Sequence, residues 1–129
     1  MTDKLTITSA DGTKHAFNEM GIKSLRRICK ESPELLKGAS VEDIVVGKGA
    51  AAFMIYGGVV KVYAGVLSKG AKEMFAAANV EVSCGSEVEK IINREGCKQC
   101  GIESLLVDTM SVSECVRRIS EHFNDQWSL

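Results

Sequence analysis

The sequence lacks the bulk features by which several large functional classes are recognised. Its 129 residues carry a formal net charge of −1, so we expect no general attraction to nucleic acid or to acidic membranes. The longest uncharged apolar run, residues 49–60, is too short to span a bilayer, and the first residues contain no apolar signal-peptide core. We therefore predict a cytoplasmic protein that has neither nucleic acid nor a membrane as its partner.

The cysteine pattern of a disulfide-stabilised fold is also absent. Five cysteines, an odd number, are irregularly spaced, which favours a reducing compartment. With 45% hydrophobic residues, 26% charged residues and one proline, the composition is that of an ordered globular protein. A chain of this length buries roughly two-thirds of the surface of its unfolded form, so it needs no metal or disulfide to fold. We predict one domain over residues 1–129.

Local patterns predict a β-hairpin followed by alternating helices and strands. Residues 5–9 and 13–17 flank an Asp-Gly turn, which is typical of a hairpin. A helix over residues 22–31 follows, and Ser40 opens a capping box that predicts a helix over residues 41–56. Further strands are predicted at 59–66 and 80–84, and further helices at 68–78, 87–92, 102–107 and 111–124.

This order of elements indicates a three-layer α/β fold. A mixed β-sheet that starts with the N-terminal hairpin is expected to be flanked by helices, with strands 59–66 and 80–84 parallel. The core is predicted at about residues 5–108, with the helix at 111–124 added at the C-terminal side.

One charged residue, Lys48, interrupts the otherwise apolar or glycine stretch at residues 44–60. Keeping an isolated buried ammonium charged is too costly, so this lysine must pair, reach water or bind a ligand. The N-terminal halves of helices 41–56 and 68–78 are expected at the carboxyl end of strand 59–66, where open α/β sheets bind ligands. Two helix N-termini and Lys48 would favour an anion. The alternative is a structural lysine that extends to solvent, or pairs with Asp43 or Glu103.

Residues 47–52 also fit the G-x-G-x-x-A pattern of a dinucleotide-binding turn. That hypothesis requires a strand before the turn, whereas the capping box predicts helix there. It would leave only a short helix before Gly57, and no Asp or Glu ends strand 59–66 to bind a ribose. We therefore predict no cofactor.

A polar loop at residues 93–103 is the second candidate region. Arg94 can bind a carboxylate or phosphate, and Asn93 can hydrogen-bond to an amide. Cys97 and Cys100 form a CxxC, but no second pair completes a zinc site, and a charged loop precedes them, unlike in a thioredoxin-like dithiol. Metal, redox and purely structural interpretations stay open from these residues, and we predict no metal site.

Three segments resemble a bacterial family of unknown function with a cytidine-deaminase-like fold: KGASVEDIVVGKGAAA, YGGVVKVYAGVLS and IINREGCKQCGIE. Deaminases of that superfamily hold zinc with H-x-E and P-C-x-x-C motifs. By position, the resemblance puts residues 46–48 and 67–70 in their place, and neither segment carries a zinc ligand. The resemblance implies that the pocket was kept with other residues, namely Asp43, Lys48, Ser68, Asn93, Arg94, Cys100 and Glu103.

Together these features predict a zinc-free, deaminase-like domain that binds a small anionic or nucleotide-like ligand in a crevice near Lys48. Ser68 and helix N-terminal amides would donate hydrogen bonds. If the protein is an enzyme, Cys100 is the candidate nucleophile and Lys48 the group that lowers its pKa. The competing hypothesis is a non-catalytic module that self-associates, for example as a homodimer that uses Trp127.

Overall fold

The computed structural model describes residues 5–17, 21–89, 106 and 108–122. These residues form an α/β fold with one five-stranded mixed sheet and four helices. In chain order the elements are β1 (Leu5–Thr8), β2 (Lys14–Phe17), α1 (Gly21–Glu31), a 3-10 turn (Pro33–Leu35), β3 (Ser40–Val46), α2 (Lys48–Gly57), β4 (Lys61–Ser68), α3 (Lys69–Ala77), β5 (Glu81–Val88) and α4 (Val112–His122).

The strands lie in the order β2-β1-β3-β4-β5. Strand β1 is antiparallel to both of its neighbours, whereas β3, β4 and β5 are parallel. The predicted hairpin is confirmed: Asp11 Oδ1 accepts from the Thr13 amide at 2.9 Å, and Gly12 has a φ of 91°. This left-handed conformation suits glycine and allows the tight turn. The predicted parallel pairing of the two later strands is also confirmed.

Residues 40–46 form a strand, so the predicted helix over residues 41–56 is wrong in its first half. Val41 and Asp43 are buried whereas Glu42 and Ile44 are exposed, which is the two-residue period of a half-buried strand. Pairing with β1 on one side and β4 on the other outweighs the local capping pattern. Helix α2 therefore begins at Lys48.

Strand β5 is longer than predicted. It continues through Val88, so residues 86–88 are strand, and the predicted helix over residues 87–92 is wrong at its start. Residue 89 is a bend. Residues 90–92, and the predicted helix over residues 102–107 except Leu106, lie outside the described residues.

Helix α2 lies at the centre of the helical part of the fold, in contact with α1, α3 and α4. Residues 49–54 are all buried. This burial is expected for a helix that is apolar on every side, because such a helix packs against more than one neighbour. Gly58, with a φ of 95°, ends the helix by donating to the carbonyls of Met54 and Ile55. No helix in the described part of the chain is long and apolar enough to cross a membrane.

No described helix covers the opposite face of the sheet. Tyr63 and Ile44, on the central strands, are 45% and 39% exposed, and Glu42 and Ser83 are exposed beside them. The four helices of the described residues share the other face because α1, α3 and α4 all contact α2. The predicted arrangement, a sheet flanked by helices in three layers, is therefore not seen in this part of the chain.

Candidate functional site

The candidate site lies at the edge where the parallel strands end. Strand β3 leads into α2 and β4 leads directly into α3, so both helices begin at this edge. The strand ends are level, because Val46 pairs with Leu67 and Leu67 with Glu87. Amides in the first turn of a helix point away from the helix body. Two sets of such amides therefore point towards the same edge of the sheet. The sequence predicted that two helices begin at this edge, although it placed the first of them at residues 41–56.

The two helix starts are capped in different ways. Ser68 is buried and its hydroxyl oxygen accepts from the Ala71 amide at 3.2 Å, which confirms it as the cap of α3. Helix α2 is preceded by Gly47 in an extended conformation, with no side chain to cap it. Backbone without a side chain allows close approach of a ligand.

Lys48 is the first residue of α2 and is half-buried. Its aliphatic stem crosses the first turn of α3, because a Cβ atom placed on Gly70 would lie 2.8 Å from Lys48 Cδ. The ammonium group donates a hydrogen bond to the carbonyl oxygen of Leu106. Lys48 therefore connects the starts of both helices to the residues that precede α4.

An acidic residue, Asp108, follows two positions after Leu106, whose carbonyl oxygen this ammonium contacts. Arg118 donates to Asp108 Oδ1 at 2.6 Å and holds the pKa of that carboxyl below its usual range. The positive charge of Lys48 makes a smaller contribution in the same direction. Neither Asp108 nor Arg118 was a predicted site residue, since both are far from Lys48 in sequence and no local pattern relates them.

Two further lysines follow Ser68 on the first turns of α3. Lys69 and Lys72 are both exposed, and the Lys72 ammonium pairs with Glu87 Oε1 at 2.9 Å. The sequence contained a signal for Lys69, because it follows the cap of a helix expected at this edge.

Asp43 is not brought to Lys48. It lies on the helix-facing side of β3, level with Leu5 and Ala64, and is only 5% exposed. Its Oδ1 atom accepts from the Ile44 amide at 2.8 Å, and Oδ2 has no hydrogen-bond partner. Burial raises the pKa of this carboxyl to about 7, although the amides of Ile44 and Val45 oppose the shift. The proposed Lys48–Asp43 pair is therefore wrong.

The other predicted residues lie outside the described residues. They are Asn93, Arg94, Cys97, Cys100, Glu103 and Trp127. Their contact with a ligand, activation of the Cys100 thiol and self-association remain predictions, as does a pairing of Lys48 with Glu103.

None of the cysteines that the structure describes, Cys29, Cys84 and Cys115, forms a disulfide bond. Burial raises the pKa of the Cys29 thiol to about 12, and this thiol donates to the Phe53 carbonyl at 3.5 Å. A thiol with a raised pKa is a poor nucleophile at neutral pH. Within residues 5–17, 21–89, 106 and 108–122, no group of three or more His, Cys, Asp or Glu side chains could hold a metal ion.

The G-x-G-x-x-A segment has the strand–turn–helix context that its sequence appeared to lack. Strand β3 precedes it, and α2 runs for 10 residues, so two of the objections to a phosphate-binding turn were wrong. The third objection holds, because β4 ends in Ser68 followed by Lys69 rather than in a carboxylate that could bind a ribose. The turn is consistent with phosphate binding but lacks the usual dinucleotide partner.

Comparison with known proteins shows the family. The sequence matches the family described as Domain of unknown function (DUF1893) over residues 2–123. The chain belongs to the DUF1893 family. Its structure is similar to the crystal structure of a DUF1893 family protein (TM1506) from Thermotoga maritima, with a TM-score of 0.85 and 24% sequence identity, over 94% of this chain and 81% of that one. At this identity the similarity shows the fold alone. No curated protein matches the sequence.

Proposed function

We propose that this DUF1893 protein binds a small anionic ligand where β3 and β4 end. The observation that carries the proposal is the shared edge at which α2 and α3 begin, with the Lys48 side chain lying across the first turn of α3. The partial positive charge at a helix N-terminus stabilises a nearby anion by about 0.3–1 kcal/mol. Two helix N-termini and one ammonium therefore favour an anion together.

The charges around the edge support the same conclusion. Lys48 donates to the carbonyl group of Leu106, and Arg118 donates to the carboxylate of Asp108. Lys69 adds a positive charge on the exposed first turn of α3. A phosphate or carboxylate at this edge would thus lie near the ammonium groups of Lys48 and Lys69 and the first turn of α3 at Gly70.

A phosphate group suits this edge better than a metal-bound substrate. The two helix starts read Gly47-Lys48-Gly49 and Ser68-Lys69-Gly70 and contain no histidine, cysteine or carboxylate. Glycine-flanked turns at helix N-termini are the usual cradle for phosphates. If the fold descends from a deaminase, as the sequence resemblance implies, a nucleotide-like phosphate ligand would occupy the retained pocket without zinc.

Affinity measurements on matched lysine variants test this proposal. Each of three proteins, namely the parent, Lys48→Met and Lys61→Met, is titrated with candidate anions. The anions are inorganic phosphate, pyrophosphate, nucleoside mono- and triphosphates, and dicarboxylates. Lys61 is a suitable control because it lies at the opposite end of β4, 61% exposed and 3.6 Å from Glu81. We expect at least one phosphate compound to bind the parent and Lys61→Met equally, and Lys48→Met at least tenfold more weakly. Equal binding to all three proteins, or no binding by any compound, contradicts the proposal.

A further inference from the structure

The carboxyl group of Asp43 is buried on the sheet with one oxygen left without a hydrogen-bond partner. Asp43 is 5% exposed, Oδ1 accepts from the Ile44 amide at 2.8 Å, and Oδ2 is the oxygen without a partner. An ionised carboxylate buried without a cation is so costly that such groups take up a proton instead. The neutral acid is therefore the form that fits this position.

Among the side chains that the structure describes, those packed around Asp43 include no cation that would offset a negative charge. Strands β1 and β4 place Leu5 and Ala64 beside it, and the buried residues of α2, at positions 49–54, are apolar. The buried residues of α1 are Ser24, Leu25, Ile28 and Cys29. The described cations of these elements lie elsewhere. On α1, Arg26 is half-buried, and Arg27 and Lys30 are exposed; Lys61 is exposed on β4, and Lys48 begins α2 with its ammonium on Leu106. None of these cations is among the groups that affect the Asp43 carboxyl.

Asp43 lies where the N-terminal hairpin joins the parallel strands. The β1–β3 seam, formed by Leu5–Thr8 and residues 40–43, has the Leu5–Asp43 pair at its end. Strand β1 contributes four residues to this seam, whereas the neighbouring β4 and β5 pair along eight-residue strands. Among the described residues, Asp43 therefore lies at the end of the shortest ladder that contains β3, and a charge on Asp43 must be hydrated there.

We propose that Asp43 is a proton-dependent lock on the β1–β3 seam. The neutral acid keeps the seam closed, and loss of its proton favours a state in which the hairpin separates locally from β3 and water reaches the carboxylate. Burial raises the pKa of this carboxyl from an ordinary value of 3.8 to about 7, so the lock responds to pH below and around neutrality.

The direction of the effect follows from proton linkage. In the open seam the hydrated carboxyl loses its proton near its ordinary pKa, whereas in the closed seam it keeps the proton up to about pH 7. Opening therefore becomes more favourable as pH rises between these two values and is constant above the higher one. The opening equilibrium should rise roughly fiftyfold from about pH 5 to pH 7.

Amide hydrogen exchange of the parent protein and of Asp43→Asn tests the lock. After correction for intrinsic exchange, opening at β1 and at residues 40–43 should increase roughly fiftyfold over this pH range in the parent. It should be constant in Asp43→Asn, and amides between β4 and β5 should show no comparable change in either protein. The proposal is overturned if opening of the β1–β3 seam has the same pH dependence in both proteins, or if opening changes equally at all strands.

The carboxyl-carbon NMR titration of Asp43 in the parent protein provides a second measurement, which remains decisive if Asp43→Asn does not fold. A midpoint near 7 together with pH-dependent opening of β1 supports the lock. A midpoint near the ordinary value of 3.8 overturns it.

Discussion

The Lys48 side chain occupies the space that a side chain at Gly70 would need. A Cβ atom there would lie 2.8 Å from Lys48 Cδ and 3.0 Å from Cγ. In a helix without such a neighbour, alanine is more favourable than glycine by about 1 kcal/mol. The steric conflict with Lys48 therefore opposes the higher helix propensity of alanine, and it does so only while the long side chain at position 48 is present.

A double-mutant cycle separates these effects. In a Lys48→Ala background, Gly70→Ala should raise the free energy of unfolding by about 0.5–1 kcal/mol, because helix propensity acts alone. In the parent background the gain should disappear or reverse. Urea denaturation of the four proteins measures both values, and the same change in both backgrounds would show that Lys48 does not cross α3 as described.

The buried carboxyl of Asp43 should also affect global stability. An acid whose pKa is raised on folding is protonated in both states at low pH, so its destabilising effect develops as pH rises from the unfolded pKa to the folded one. With pKa values of 3.8 and about 7, the free energy of unfolding should fall by up to about 4 kcal/mol between these two pH values.

The variant Asp43→Asn removes the titrating group and should flatten this pH dependence. Asparagine still offers an oxygen to the Ile44 amide, so the local hydrogen bond is kept. Glu42→Gln, at the neighbouring exposed position of β3, is the matched control and should retain the parent profile. Urea denaturation from pH 4 to pH 8 measures the free energy of unfolding of both variants. If Asp43→Asn shows the same pH dependence as the parent, a group other than Asp43 causes it.

Among the elements, α3 depends on a single side-chain cap. The Ser68 hydroxyl accepts from Ala71 at the buried start of the helix. Ser68→Ala should lower the free energy of unfolding by about 1 kcal/mol, because this amide loses its partner. Ser83→Ala, on the exposed face of β5, should change it by less than about 0.5 kcal/mol. Equal losses in urea denaturation would show that the cap contributes no specific stability.

Elements whose local signals agree could be predicted from the sequence. The hairpin has an Asp-Gly turn between alternating strands, α1 has a clear apolar stripe, and α3 has both its cap and Asn79, whose φ is 60°, at its end. Residues 40–46 could not be assigned, because Ser40 and the acids that follow it fit a helix start and an alternating strand equally well. Pairing with β1 and β4 decides between them, and a local pattern does not contain that information.

The candidate site was predictable only in part for the same reason. The unusual position of Lys48 among apolar residues drew attention to it, and Ser68 was recognised as a cap. The partners of Lys48 could not be found, because Leu106 is 58 residues away and contributes a backbone carbonyl. Asp43 was placed on the wrong element, so its burial was not foreseen.

At the scale of the whole molecule, the topology separates two surfaces. All four described helices lie on one face of the sheet, and α2 and α3 begin at the same edge. The other face leaves Ile44 and Tyr63 exposed. The structural similarity to the Thermotoga maritima protein extends over 94% of the chain, so the two proteins share this fold. A ligand at the helix starts would contact several elements without crossing the sheet.

The location of binding is tested most directly by adding pyrophosphate to uniformly 15N-labelled protein and following the amide chemical shifts. We predict progressive, saturable shifts at residues 47–50 and 68–71, the first turns of α2 and α3, and none at Ser83 and Gly85 on the opposite face of the sheet. Saturable shifts confined to other surfaces, or no shifts up to millimolar concentrations, would contradict an anion site at the shared start of the two helices.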